Sequence, residues 1–208
     1  MGKVYLVRHG ESEANIYGNV LCGWLDVELT EKGKRQAIAI AQRLRVNNIA
    51  KVYSSDLRRA IATAKMIAEA CEAELVIEQG LREINYGDWE GLSYVAIENS
   101  SEEWKQMLLM RKEDATKFKA PNGEAFLEFA ERVINAFDKI VAMHRRENVA
   151  IVAHKMTNRV ILCHALGISP ALWFTIAQDE ACVNEVLIDD SFGYVVECIN
   201  DLCHLTGV

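Results

Sequence analysis

The chain has 208 residues, half of them apolar and a quarter charged, a balance that supplies a sizeable core and excludes disordered and collagen-like classes. Lys plus Arg number 23 against 30 Asp plus Glu, and the resulting charge of -7 argues against nucleic-acid and anionic-membrane partners. Apolar runs such as Ala37–Ala41 fall far short of the roughly 20 residues needed to span a bilayer.

Lys3–Val7 is a short β-rich run that ends in charge and glycine, and reads as a buried strand. After a Gly- and Asn-rich loop, Thr30 is placed to cap a helix whose stripe is Ala37, Ile40, Ala41 and Leu44. Lys51–Ser54 is the second strand. Leu57, Ile61, Ala64, Ile67 and Ala68 then repeat at helical spacing, with Ser54 or Ser55 as the expected cap. Leu75–Ile77 is a third strand, and residues 80–91 form a polar, Gly-containing loop. Residues 92–121 have helical composition without a clean stripe. Over 124–144, Phe126, Phe129, Ala130, Val133, Ile134, Phe137, Ile140 and Val141 predict one long amphipathic helix. Val149–Ala153 is the fourth strand, 156–166 a helix stopped by Gly167 and Pro170, and Val183–Ile188 and Tyr194–Ile199 a closing hairpin.

Alternating strands and helices predict an α/β fold: a three-layer αβα sandwich with a mainly parallel sheet, helices on both faces and an antiparallel edge. With no repeat or Pro/Gly-rich linker, the chain is expected to be one domain over 1–208, carrying an insertion at about 92–121. Its edge strand near the C-terminus would allow a homodimer. The apolar stretch Val4–Val7 is too short for a signal-peptide core, and Leu6 breaks the myristoylation pattern after Gly2, so the expected location is cytoplasmic. Six scattered cysteines without C-x-x-C read as reduced packing residues. The histidines lack zinc spacing, which leaves no metal and no cofactor as the expectation.

Ligands of open α/β sheets bind beyond the carboxyl ends of the strands. Here those ends lead into Arg8-His9-Gly10, Ser54–Arg59, Leu81-Arg82-Glu83 and His154-Lys155. Arginine presents a planar fork of donors to phosphate oxygens, and neutral imidazole is a competent nucleophile near pH 7. The glycines of 18–23 have P-loop spacing, but Trp24 and Leu25 stand where Lys and Ser/Thr are required. His144, His164 and His204, with Trp89, Trp104 and Trp173, are expected to be structural; Trp24 lies nearer the pocket.

The run Arg8-His9-Gly10-Glu11-Ser12-Glu13-Ala14-Asn15 resembles the R-H-G-x-[ST]-x-x-N signature of the histidine phosphatase superfamily, the phosphoglycerate mutase-like proteins. The resemblance extends, in family order, through Gly23–Thr30 with Gly33, Gln36 and Ala37, Ser54–Ala64, Leu81–Gly91, Pro121–Glu124 and Val152–His154. The length and the Asn200-Asp201…His204-Leu205 ending are similar to the α-ribazole and broad-specificity bacterial phosphatase branches.

That resemblance implies His9 as the nucleophile, Arg8, Arg59 and His154 as phosphate-holding residues, and Glu83 as general acid and base. It puts Asn15, Cys22, Gly23 and Lys155 in the substrate-binding set, and assigns Arg59 rather than Arg58 to the motif. A carboxyl group beside a phosphate dianion tends to keep its proton, as a general acid must. Three positions depart from the commonest pattern: Lys155 for Gly, Ser12 for Thr and Ala125 for Ser. The implied activity is metal-independent hydrolysis of a small phosphorylated metabolite through a phosphohistidine. A phosphoglycerate mutase-type transfer is the alternative, and a non-catalytic phosphate-binding or scaffold protein a third reading. The family's mutases usually carry a longer insertion and tail, which favours the phosphatase.

Overall fold

Every residue of Val4–Val7 is buried, as expected of a strand covered on both faces, and that strand, β1 (Lys3–Arg8), lies inside a six-stranded sheet. The computed structural model describes residues 1–16 and 20–208; Gly18, with its P-loop-like spacing, lies outside them. The other strands are β2 (Ile49–Ser54), β3 (Glu74–Ile77), β4 (Asn148–Ala153), β5 (Val183–Asp189) and β6 (Gly193–Asp201), in the spatial order β3-β2-β4-β1-β5-β6. β3, β2, β4 and β1 are parallel, whereas β5 runs antiparallel to β1 and β6 antiparallel to β5. The antiparallel part is thus two strands deep.

The helices are α1 (Glu13–Ile16), α2 (Glu31–Leu44), α3 (Arg58–Cys71), α4 (Tyr94–Glu98), α5 (Glu102–Glu113), α6 (Phe126–Met143) and α7 (Lys155–Ala165). Alternation along the strands splits the core. Tyr5, Val7, Val52, Ala150 and Val152 meet Ile40 and Leu44 of α2 and Ala64 and Ile67 of α3. Val4, Leu6, Tyr53, Ile151 and Ala153 meet Phe129, Val133 and Phe137 of α6 and Val160 and Ile161 of α7. Each such side chain taken fully out of water contributes about 1.5–3 kcal/mol. Among the described residues no helix is long and apolar enough to cross a membrane, and all six cysteines are free.

Thr30 caps α2 as predicted, its Oγ1 accepting from the Gly33 amide. The predicted cap of α3 is wrong. Leu57 holds the N-cap position without a side-chain bond, because Ser54 Oγ donates to the Ser55 carbonyl and Ser55 Oγ is engaged by His154. In α6, Ala125 offers no capping oxygen, and only the reverse half of the cap forms, from the Ala125 amide to Glu128 Oε2. Within 92–121, Ser93 and Ser101 cap α4 and α5 through the amides of Ala96 and Trp104. The core face of this segment is irregular because it packs through large aromatics, with Trp104 and Phe118 against Trp89, which explains the missing stripe.

The register puts the carboxyl ends of the parallel strands at one rim: Arg8 pairs with Ala153, and Ser54 with both Val152 and Ile77. The antiparallel β5 begins at that same rim, Val183 opposite Val7.

Candidate active site

His9 is fixed by backbone bonds on both sides of β1, its amide donating to the Ala153 carbonyl and its carbonyl accepting from Ala181. The residue after it must be glycine, since a Cβ on Gly10 would run into the Gly33 carbonyl oxygen. The His9 ring donates from Nδ1 to the Gly10 carbonyl at 2.7 Å, which leaves Nε2 with its lone pair. Burial first, then the positive charges of Arg59 and Arg8, hold the His9 pKa well below the ordinary histidine value. The ring is therefore neutral and nucleophilic at neutral pH.

His154 directly follows β4, at the N-cap of α7, with its ring centroid 5.2 Å from that of His9. Its Nε2 is 2.9 Å from Ser55 Oγ. When the serine donates, the ring proton sits on Nδ1, a buried atom that has no partner among the described residues. Burial, followed by the charge of Arg59, the repulsion that two protonated rings would feel beside His9, and the charge of Arg8, also holds this imidazole neutral.

Arg8 donates to the Gln178 carbonyl and to Glu180 Oε1, both at 2.8 Å, and its Nε is buried without a partner. Arg59, 1% exposed, donates to the Leu25 and Gly23 carbonyls at 2.7 and 2.8 Å and so ties down the loop after Leu21. Gly23 has a φ of +47° there, and a Cβ would meet the Glu90 carboxylate. Arg58 is exposed and paired with Asp26 and Glu28, as expected for the arginine outside the motif.

The Glu83 carboxylate accepts from the Ile84 and Met156 amides at 3.0 Å each, so its two oxygens are aimed by backbone from two separate elements. Trp24 Nε1 donates to the Glu83 carbonyl at 2.7 Å and its ring stacks on Arg82, which places this tryptophan among the supports of the site.

His9, Arg8, Arg59 and Glu83 line one cavity of about 340 Å³, with Asn15, Cys22, Gly23 and Lys155 on its walls. His154 is not among the lining residues, although its ring centre is 5.2 Å from that of His9. Asn15 donates to Glu180 and accepts from Ser12, and burial pushes the Cys22 thiol up so that it stays neutral. His144, His164 and His204 are engaged elsewhere, with Tyr53, Asp138 and the Ala181 carbonyl. Among the described residues no group of three His, Cys, Asp or Glu side chains is placed to hold a metal ion.

Lining residues that the sequence reading did not single out include Tyr86, Tyr94, Arg111, Arg159, Glu180 and Trp173, the last expected to be mere packing. Arg159 had a usable signal, four residues after Lys155 and hence on the same face of α7. Glu180 had none from strand ends, because the antiparallel β5 brings its amino end to the rim.

The two depressed histidines make stability depend on pH. The unfolded chain takes up protons near pH 6.5, which the folded rings refuse. Stability is therefore complete above that value and falls below it, by about 1.4 kcal/mol per pH unit and per ring until the folded pKa is reached. Urea unfolding between pH 7.5 and 5.5 measures the slope. His154→Gln should make it shallower, and an unchanged slope would count against a neutral buried His154.

Phosphoserine phosphatase 1 of Hydrogenobacter thermophilus is 31% identical over 205 residues, covering 99% of this chain and 95% of that protein. A probable phosphoglycerate mutase GpmB of Erwinia tasmaniensis is 33% identical over 209 residues, covering 99% and 95%. The solved structure of Bacillus stearothermophilus YhfR superposes with a TM-score of 0.90 at 26% identity, over 99% of this chain and all of that one. The pattern of the histidine phosphatase superfamily (branch 1) runs through residues 4–201, from the first strand to the last. With the two rim histidines and their arginines in place, the chain belongs to that superfamily.

Proposed function

We propose that this chain is a metal-independent phosphomonoesterase that hydrolyses a small phosphorylated metabolite through a phosphohistidine on His9. The observation that carries this reading is the His9 ring: neutral, locked through Nδ1, with Nε2 unbonded in a cavity shared with Arg8, Arg59 and Glu83. Nε2 attacks phosphorus, the ester P–O bond breaks, and the leaving oxygen takes its proton from the Glu83 carboxyl. Water then attacks the P–N bond while Glu83 accepts the water's proton, and phosphate leaves a neutral His9. The guanidiniums of Arg8 and Arg59 hold the phosphoryl oxygens, and the unpartnered Arg8 Nε and His154 Nδ1 are two further donors suited to the same oxygens. The chain acts in this reading as one domain over 1–208, with 92–121 contributing to the pocket.

A mutase shares the first half of this sequence and returns the phosphoryl group to a second hydroxyl. Chain length does not separate the two readings, since the relative named as a probable mutase is matched over 95% of its length. Aryl phosphate hydrolysis in EDTA, with 3-phosphoglycerate run alongside, does separate them: free phosphate is the expected product, and isomerised phosphoglycerate would reveal the mutase. A brief pulse of labelled substrate should leave acid-labile, base-stable label on the His9 peptide. Label on serine or aspartate, or none in active enzyme, sinks the covalent route.

Arg59→Ala should lower kcat/KM by about 10²–10³-fold, because it removes a charge from the phosphoryl site and unties the Gly23 and Leu25 carbonyls. Arg58→Ala removes only exposed ion pairs, worth about 0–1 kcal/mol, and should stay within about threefold of wild type. Steady-state kinetics on both decide it. Reversed severities would reassign the motif arginine.

A further inference from the structure

Five cationic side chains line the cavity, Arg8, Arg59, Arg111, Lys155 and Arg159, against two carboxylates, Glu83 and Glu180, in a protein whose net charge is -7. A phosphoryl dianion alone leaves positive charge in excess, and the excess is concentrated on Arg111, Arg159 and Lys155. Arg111 comes from α5, is 8% exposed, and donates only to the neutral hydroxyls of Tyr94 and Tyr86 at 3.1 and 3.0 Å. Arg159 donates from Nε to the Ile176 carbonyl at 2.6 Å, and among the described residues both terminal nitrogens of its fork are without a hydrogen-bond partner. No carboxylate pairs with either arginine or with Lys155 among the described residues.

Both guanidiniums pack on one indole, their carbons 5.2 and 5.1 Å from the Trp173 ring centre, so they lie at most about 10 Å apart. Two partly desolvated like charges at that range repel each other with little screening by salt. An arrangement of this kind is stable when an anion joins it. The Arg111 guanidinium is flanked by the rings of Tyr86, Tyr94, Phe118 and Trp173, so the donors left to it are those in its plane. In-plane N–H groups paired with a planar two-oxygen acceptor match the geometry of a carboxylate.

We infer that the cavity selects phosphomonoesters carrying a carboxylate, and that Arg111 and Arg159, assisted by Lys155, are its specificity-determining residues. The inference rests on the proposed function for the phosphoryl end of the substrate. It places this protein after reactions that phosphorylate small hydroxy or amino acids, and makes the free acid its product.

Calorimetric binding of phosphonates reads the subsite without turnover. Wild type should bind 3-phosphonopropionate about 10- to 100-fold more tightly than propylphosphonate, the range that charge-assisted bonds supply. Arg111→Met and Arg159→Met should each reduce that preference about tenfold. The kcat/KM ratio of phosphoserine to phosphoethanolamine, which differ only by the carboxylate, should fall in parallel. Thermal melts establish that the variants fold. If Arg111→Met does not, Arg159→Met carries the test, since it gives up one hydrogen bond, to the Ile176 carbonyl, and the stacking on Trp173, where Met can still pack.

Equal wild-type affinity for the two phosphonates overturns the subsite, as does a preference intact in a folded Arg159→Met. Tightest binding of ethylene bisphosphonate would make the second group a phosphoryl rather than a carboxylate, and overturns it too. A carboxylate preference without any ester hydrolysis would overturn the phosphatase and leave the subsite standing. Equal hydrolysis of both esters with label on His9 would do the reverse.

Discussion

His9→Ala should lower kcat by on the order of 10⁴-fold or more on every ester, activated or not, because among the described residues no second imidazole lines the cavity to take over as nucleophile. The binding half of the site survives the change. Arg8 and Arg59 are anchored to the Gln178, Leu25 and Gly23 carbonyls and to Glu180, none of which involves the His9 ring. Phosphonate affinity should therefore stay within about tenfold of wild type, while the ring at 5.2 Å from His154 is lost. Steady-state rates and calorimetry on one preparation test both halves. Residual turnover above about 1% of wild type would mean that water attacks phosphorus directly and that His9 only helps to hold the substrate.

Glu83→Gln is expected to split the reaction in two. The amide keeps the shape of the carboxylate but exchanges no proton, so alkyl phosphates, whose leaving oxygen needs one, should lose about 10²–10⁴-fold. An activated aryl phosphate leaves as its anion, so its phosphorylation of His9 should survive better, while hydrolysis of the phosphoenzyme lacks its base. Rapid quench should then show a burst of aryl alcohol and accumulated phosphohistidine. The substitution has a structural cost: both Glu83 oxygens accept backbone N–H groups, from Ile84 and Met156, and an amide can satisfy only one. A loss of about 1–3 kcal/mol of stability is expected, so rates belong at a temperature where melts show the variant folded. Equal losses on both esters with no burst would remove Glu83 from the acid and base roles. Glu90, another carboxylate of that loop and one that lies beside Trp24, holds the amides of Trp24 and Tyr86 and would be examined next.

The rim of the parallel strands was readable because chemistry there follows chain order. Arg8 ends β1 and His9 follows it, Ser55 and Arg59 come after β2, His154 after β4, and each arrives with a local motif. Thr30 and the stripe of α6 were equally legible, since capping and periodicity are local signals. What escaped arrives from elsewhere. Arg111 sits in a helix held by aromatic packing rather than a stripe, Glu180 precedes an antiparallel strand whose direction no local pattern reveals, and Trp173 lines the cavity from a short 3-10 helix, Pro170–Thr175. Ser55 was read as a cap and is instead the hydrogen-bond partner of His154, a pairing across 99 positions that helix-start rules cannot see.

The central place of β1 between β4 and β5 has a consequence for how the enzyme comes into being. The segment that presents His9 leaves the ribosome long before its two partners, which lie far downstream, with Val7 opposite Val152 on one side and Val183 on the other. Until those late strands exist, β1 is an apolar ribbon with two open edges, and closing it against them spans loops well over a hundred residues long. Nascent or truncated chains should therefore be inert and prone to association, and on refolding, catalytic activity should return with the final cooperative step and not before it.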